Sequence, residues 1–148
     1  MSFPRPEVDI RSSPRSFDEL IDWLDCWSYR LVLLEEYPLS EVRAALLAVS
    51  HAVSTHRLSA EGWIARLTTT DPAVARGVEL LQSDHERFET SLEQLWWFFR
   101  AVEKEDHGGH RQALGQYGRV LAEALRRHRA DERRLEARSS RLDMEPVP

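Results

Sequence analysis

His56, His85 and His128 each stand inside the apolar stripe of a different predicted helix, where a leucine would be ordinary. Two of them carry a glutamate one helical turn later, as His85-x-x-x-Glu89 and His128-x-x-x-Glu132. Residues four apart share a helix face. Three helices therefore aim imidazoles inward, and two aim carboxylates beside them. An unpaired polar group in an apolar interior costs roughly 2–7 kcal/mol. Convergence on one another, or on a metal, removes that cost. Imidazole and carboxylate together suit iron, manganese or zinc.

The elements that must position these residues read as four helices with short joints. Ser16-Phe17-Asp18-Glu19 is a capping box and opens the first helix, which runs to about Glu36 and stops before Pro38. Ser40 is the expected N-cap of the second, which runs to about Leu67. Thr70-Asp71-Pro72 supplies a cap followed by proline at the first helical position. The third helix then runs to about Lys104. His107-Gly108-Gly109-His110 breaks the chain, and the fourth helix spans about Arg111 to Ala137. Residues 1–15, with three prolines, read as an irregular arm, 16–138 as the bundle and 139–148 as a flexible tail. No strand-like alternation or internal repeat is found. The expected fold is all-α, an antiparallel up-down-up-down four-helix bundle.

Angle and depth both bring the histidines together. At about 100° per residue, Val42, Leu46, Val49, Val53, Trp63 and Leu67 make one face of the second helix, with His56 inside it. Val74, Val78, Leu81, Phe88, Leu92, Leu95 and Phe99 make the face around His85, with Glu89 toward its edge. Leu114, Tyr117, Leu121, Leu125 and Leu135 make the face that contains His128 and Glu132. In an antiparallel hairpin, residues equally far from the turn lie side by side. His56 and His85 lie about 14 and 15 residues from the turn near residue 70, and His85 and His128 about 22 and 21 from the turn near residue 107. At ~1.5 Å per residue the three imidazoles share one level.

Composition bounds the function. A chain of 148 residues fits one domain with a real core. Its net charge of -5 gives no basic excess to suggest nucleic acid. The single cysteine, Cys26, forms no internal disulfide and favours a reducing cytoplasm. No apolar run reaches the ~18 residues of a membrane span, and the start, Met1-Ser-Phe-Pro, carries no signal-peptide core. No nucleophile–base spacing or phosphate-cradling glycine loop is present.

Three stretches resemble the hemerythrin-like, or HHE cation-binding, family over residues 17–137. Ser83-Asp-His-Glu-Arg-Phe88 is similar to the opening of that family's third helix. Leu125-Arg-Arg-His-Arg-Ala-Asp-Glu132 is similar to its fourth-helix motif. His56 with Ala60-Glu61, then Thr70-Asp-Pro72, is similar to its second helix and following loop. The resemblance implies a bundle that holds two irons between histidines and bridging carboxylates. It implies a metal set of His56, Glu61, His85, Glu89, His128 and Glu132, and a partner that is dioxygen or a related small oxidant. Storage of iron and oxidase or oxygenase chemistry belong to the same class of site. Two departures stand out. The first helix has no histidine; the level facing His56 falls near Leu20, Ile21 and Leu24, with Asp18, Asp22 and Asp25 on the opposite face. The second helix has Ala60 where the family has a glutamate, and Glu61 is turned about 100° from that position. A π-bulge near Gly62 would be needed to bring it in. The alternative is a metal-free bundle whose histidines and glutamates pair with each other, acting as a protein-binding scaffold.

Other features have ordinary readings. The His107–His110 segment is a turn, and His51 faces away from the stripe. Trp96-Trp97-Phe98-Phe99 covers about 300° of helix circumference, more than one face can bury. The outward part suggests a homodimer. Arg126, Arg127, Arg129, Arg133, Arg134, Arg138 and Arg141 read as a solvated basic face near a helix C-terminus.

Overall fold

The computed structural model describes residues 16–33, 36, 38–67, 71–104 and 108–144. Among them the chain is helical, in the order α1 (Phe17–Val32), α2 (Leu39–Ala65), α3 (Pro72–Lys104) and α4 (Gly108–Met144). Each helix packs on two others: α1 on α4 and α2, and α3 on α4 and α2. That is the expected all-α up-down bundle. The α1–α4 and α3–α4 seams are extensive, and α2 is held more lightly. No helix is long and apolar enough to cross a membrane among the described residues.

The local signals act largely as the residues imply. Ser16 Oγ accepts a hydrogen bond from the Glu19 amide at 3.2 Å, which caps α1. Asp71 Oδ1 accepts from the Ala73 amide at 2.9 Å and caps α3 ahead of Pro72. Several boundaries differ. Helix α1 ends at Val32, short of Glu36, and α4 already begins at Gly108, so the Gly108–His110 stretch expected as a turn is helical. Helix α2 begins at Leu39 with Pro38 as its N-cap and no side-chain cap, so Ser40 lies inside its first turn. Helix α4 continues to Met144, past Ala137, and Arg138 Nε reaches Asp71 Oδ2 at 2.8 Å. The expected arm at 1–15, Thr70, His107 and residues 145–148 lie outside the described residues.

The seam between α1 and α4 combines charge on its rim with close backbone approach. Asp22 and Asp25 accept from Arg126 at 2.8 and 2.9 Å, and Asp18 accepts from Arg133 at 2.7 Å. The aspartates on the outer face of α1 thus pair with the basic run of α4. Each exposed pair contributes little, with a median of about 0–1 kcal/mol. Beneath them, a Cβ at Gly118 would lie 2.0 Å from Ser28 Oγ, and one at Gly115 2.5 Å from the Ser28 carbonyl oxygen. Glycine is required at both for the helices to meet. Tyr117, placed by periodicity on the buried face, is 44% exposed and stacks on Phe98. Gly118 takes the inward place.

Two apolar clusters fill the bundle. The larger draws on all four helices and includes Ile21, Val53, Phe88 and Leu125. The smaller consists of Ala60, Ile64, Val74, Leu81 and Leu135, none of them from α1. The histidine positions fall between the two, one turn from Val53, Phe88 and Leu125 on one side and one turn from Ala60 and Leu81 on the other. Among the described residues α1 begins at this level, so the layer marks the place where four helices become three.

Candidate metal centre

Each imidazole enters the layer from its own helix. His85 and His128 are buried, at 3% and 1% exposure. His56 is half-buried, and its ring lies flat on Phe17 at the start of α1, with centroids 4.8 Å apart. Phe88 meets the His128 ring edge-on at 5.1 Å. These aromatic contacts fix ring orientation. The three histidines each offer a nitrogen, and these atoms lie within 4.8 Å of one another.

One carboxylate joins them. Glu132 is 5% exposed, and its Oε1 accepts from His56 Nε2 at 2.8 Å. The same oxygen lies 3.2 Å from His128 Nε2. His85 Nε2 and His128 Nε2 are themselves 3.2 Å apart, so one donates to the other. Behind the ring, His128 Nδ1 donates to Asp84 Oδ2 at 3.0 Å. Asp84 thereby selects the His128 tautomer and leaves Nε2 aimed at the cluster, the arrangement that outer carboxylates give metal-bound histidines.

The electrostatics follow from these contacts. Burial, then the neighbouring His128 and His56, lowers the His85 pKa from 6.5 to about 4, which keeps that ring neutral. Burial also works against a charged His128, but hydrogen bonds to Glu132 and Asp84 outweigh it and raise its pKa. Burial would raise Glu132; its bonds from His128 and His56 prevail and bring it from 4.5 down to about 2. The metal-free layer thus sets an ionised Glu132 beside His128, with a neutral His85 against the same ring.

Glu61 and Glu89, the other two expected ligands, are not brought into this layer. Their side chains are 47% and 56% exposed. Arg57 explains both positions: its Nε donates to Glu61 at 2.9 Å and its Nη1 donates to Glu89. α2 is regular α-helix through Gly62, without a π-bulge, so Ala60 points inward and Glu61 outward. The α1 positions facing the layer are apolar: Leu20, Ile21 and Leu24 are buried, and Phe17 covers His56. Asp84 and Arg57 are the residues whose roles sequence periodicity does not assign. Asp84 stands beside His85 in the chain, turned by one residue toward α4.

Comparison of the chain with models of known protein families, with curated proteins and with solved structures gives no match. The class of site is therefore defined by its own residues: a buried three-histidine group with an adjoining glutamate, capable of holding a metal, inside a four-helix bundle.

Proposed function

We propose that this chain is a hemerythrin-like non-haem iron protein that binds or senses dioxygen or a related small oxidant. His56, His85, His128 and Glu132 are its metal ligands and Asp84 orients His128. The observation that carries the reading is the approach of three imidazole nitrogens from three helices to within 4.8 Å of one another in a buried layer. Three nitrogens and one carboxylate suit divalent iron. Iron held by four protein ligands would keep coordination positions for a small diatomic or peroxide. The half-buried His56 edge is the side on which α1 begins and the layer is least covered. Metal analysis of freshly purified protein, with optical spectra recorded under argon and under air, tests the reading. Iron in the purified protein and an air-dependent visible band are expected; negligible metal of any kind refutes it.

A second reading has a specific observation behind it. Glu132, His56, His128 and Asp84 already satisfy one another without an ion, through the 2.8–3.2 Å contacts of the layer. On that reading the bundle is a metal-free scaffold that acts through its surface. The same analysis separates the two, because a scaffold stays metal-free and spectrally unchanged when air is admitted.

A further inference from the structure

A pair of metal ions stands about 3.5–4 Å apart and needs two sets of donors. Among the described residues the structure supplies one. Donor atoms bound to a single ion at about 2.1 Å lie about 3.0–3.4 Å from one another, the edges of an octahedron or tetrahedron. The distances in the layer already have that size. His85 Nε2 to His128 Nε2 is 3.2 Å, His128 Nε2 to Glu132 Oε1 is 3.2 Å and His56 Nε2 to Glu132 Oε1 is 2.8 Å. The widest nitrogen separation, within 4.8 Å, closes by a shift of about 1.4 Å.

Among the described residues, the other carboxylates near the layer are directed elsewhere. Asp84 is engaged on the Nδ1 side of His128, behind the ring. Glu61 and Glu89 are both held at the surface by Arg57. Phe17 covers the α1 side of His56 with a hydrocarbon ring. We infer that the centre is mononuclear, with one transition-metal ion bound by His56, His85, His128 and Glu132, in place of the two-iron centre that the resemblance implies. Arg57 pairs with both outer carboxylates where they lie, at the surface. The inference rests on the metal-binding reading above and restricts it.

Titration of metal-free protein with Co2+ alone, without oxygen, decides the number. Binding is followed by visible absorption and by electron paramagnetic resonance. One tight equivalent per chain is expected, with the signal of an isolated high-spin ion. His128→Leu should abolish it, and Glu132→Gln, which keeps the side-chain shape, should weaken it at least tenfold. Glu132→Gln carries the test if His128→Leu does not fold. A second equivalent that survives in either variant is surface binding and supports a single ion in the layer. Two tight equivalents that both disappear in the variants, with spin coupling between them, overturn the mononuclear assignment while leaving metal binding intact. Absence of any tight Co2+ equivalent overturns the metal-binding reading itself.

Discussion

Replacing His85 by leucine should remove the acid sensitivity that its buried ring gives the metal-free protein between pH 7.5 and about 4.5. The ring is 3% exposed, and its pKa falls from 6.5 to about 4 on folding, mainly by burial. A histidine whose folded pKa lies below its unfolded value leaves stability intact above pH 6.5. It costs stability as pH falls from 6.5 toward 4, because the unfolded chain takes up the proton first. Between pH 7.5 and 4.5 the cost comes to about 2.5 kcal/mol, from 1.36 kcal/mol for each tenfold change in protonation. Leucine fills a similar space and does not titrate. Urea unfolding of chelator-treated wild type and His85→Leu, at both pH values, should show the stability gap shifting by about 2.5 kcal/mol in favour of the variant at low pH. In thermal scans the relative gain is on the order of 5–10 °C for a chain of this length. Parallel pH profiles for the two proteins would show that His85 is protonated, or solvated, in the fold, and would refute the buried neutral ring assigned to it.

Asp84→Asn should leave the fold in place and lower metal affinity about 10–100-fold, measured by competition with a chelator, because His128 loses the carboxylate that orients it. Glu132 contributes stability that is full above its unfolded pKa of 4.5 and is lost as pH falls toward about 2; in metal-free Glu132→Gln, acid titration followed by circular dichroism should lack that lower limb. Gly118→Ala should lower the thermal midpoint through a cost of roughly 1–3 kcal/mol of overpacking, since the new methyl would sit 2.0 Å from Ser28 Oγ, and adding Ser28→Gly should recover most of the loss. Trp97 is 58% exposed beside half-buried Phe98, so Trp97→Glu should turn the expected homodimer into a monomer by light scattering; a wild-type chain already monomeric at micromolar concentration would rule that homodimer out.

The bundle was legible because its punctuation is strong. Pro38 and Asp71-Pro72 start helices for reasons that tertiary structure does not override, whereas the Gly108-Gly109 pair, expected as a break, is taken into the first turn of α4. The level of the histidines was legible too, since helical rise and short turns leave little freedom in depth. The direction of the fourth residue onward was not. A residue at i+4 is rotated by about 40° from residue i, so it falls toward one neighbouring helix or the other according to how each helix is turned. In α4 that rotation carries Glu132 inward to His56, and in α3 it carries Glu89 outward to Arg57. Identical spacing gives opposite outcomes. Asp84 escaped for the same reason: at one residue before His85 it reaches His128 only because α4 lies on that flank. The extension of α4 to Met144 had no apolar stripe to announce it, and its visible anchor is the pair between Arg138 and Asp71 at the start of α3.

The central claim is that the layer between the two apolar clusters is a metal site. Anomalous X-ray diffraction at the metal absorption edge, from crystals of protein loaded with one equivalent of Fe2+ without oxygen, tests it most directly. A single anomalous peak per chain is expected, about 2.0–2.2 Å from the Nε2 atoms of His56, His85 and His128 and from a Glu132 oxygen. Density showing these four side chains still hydrogen-bonded to one another, with no peak among them or with peaks only at exposed histidines such as His51, would contradict it.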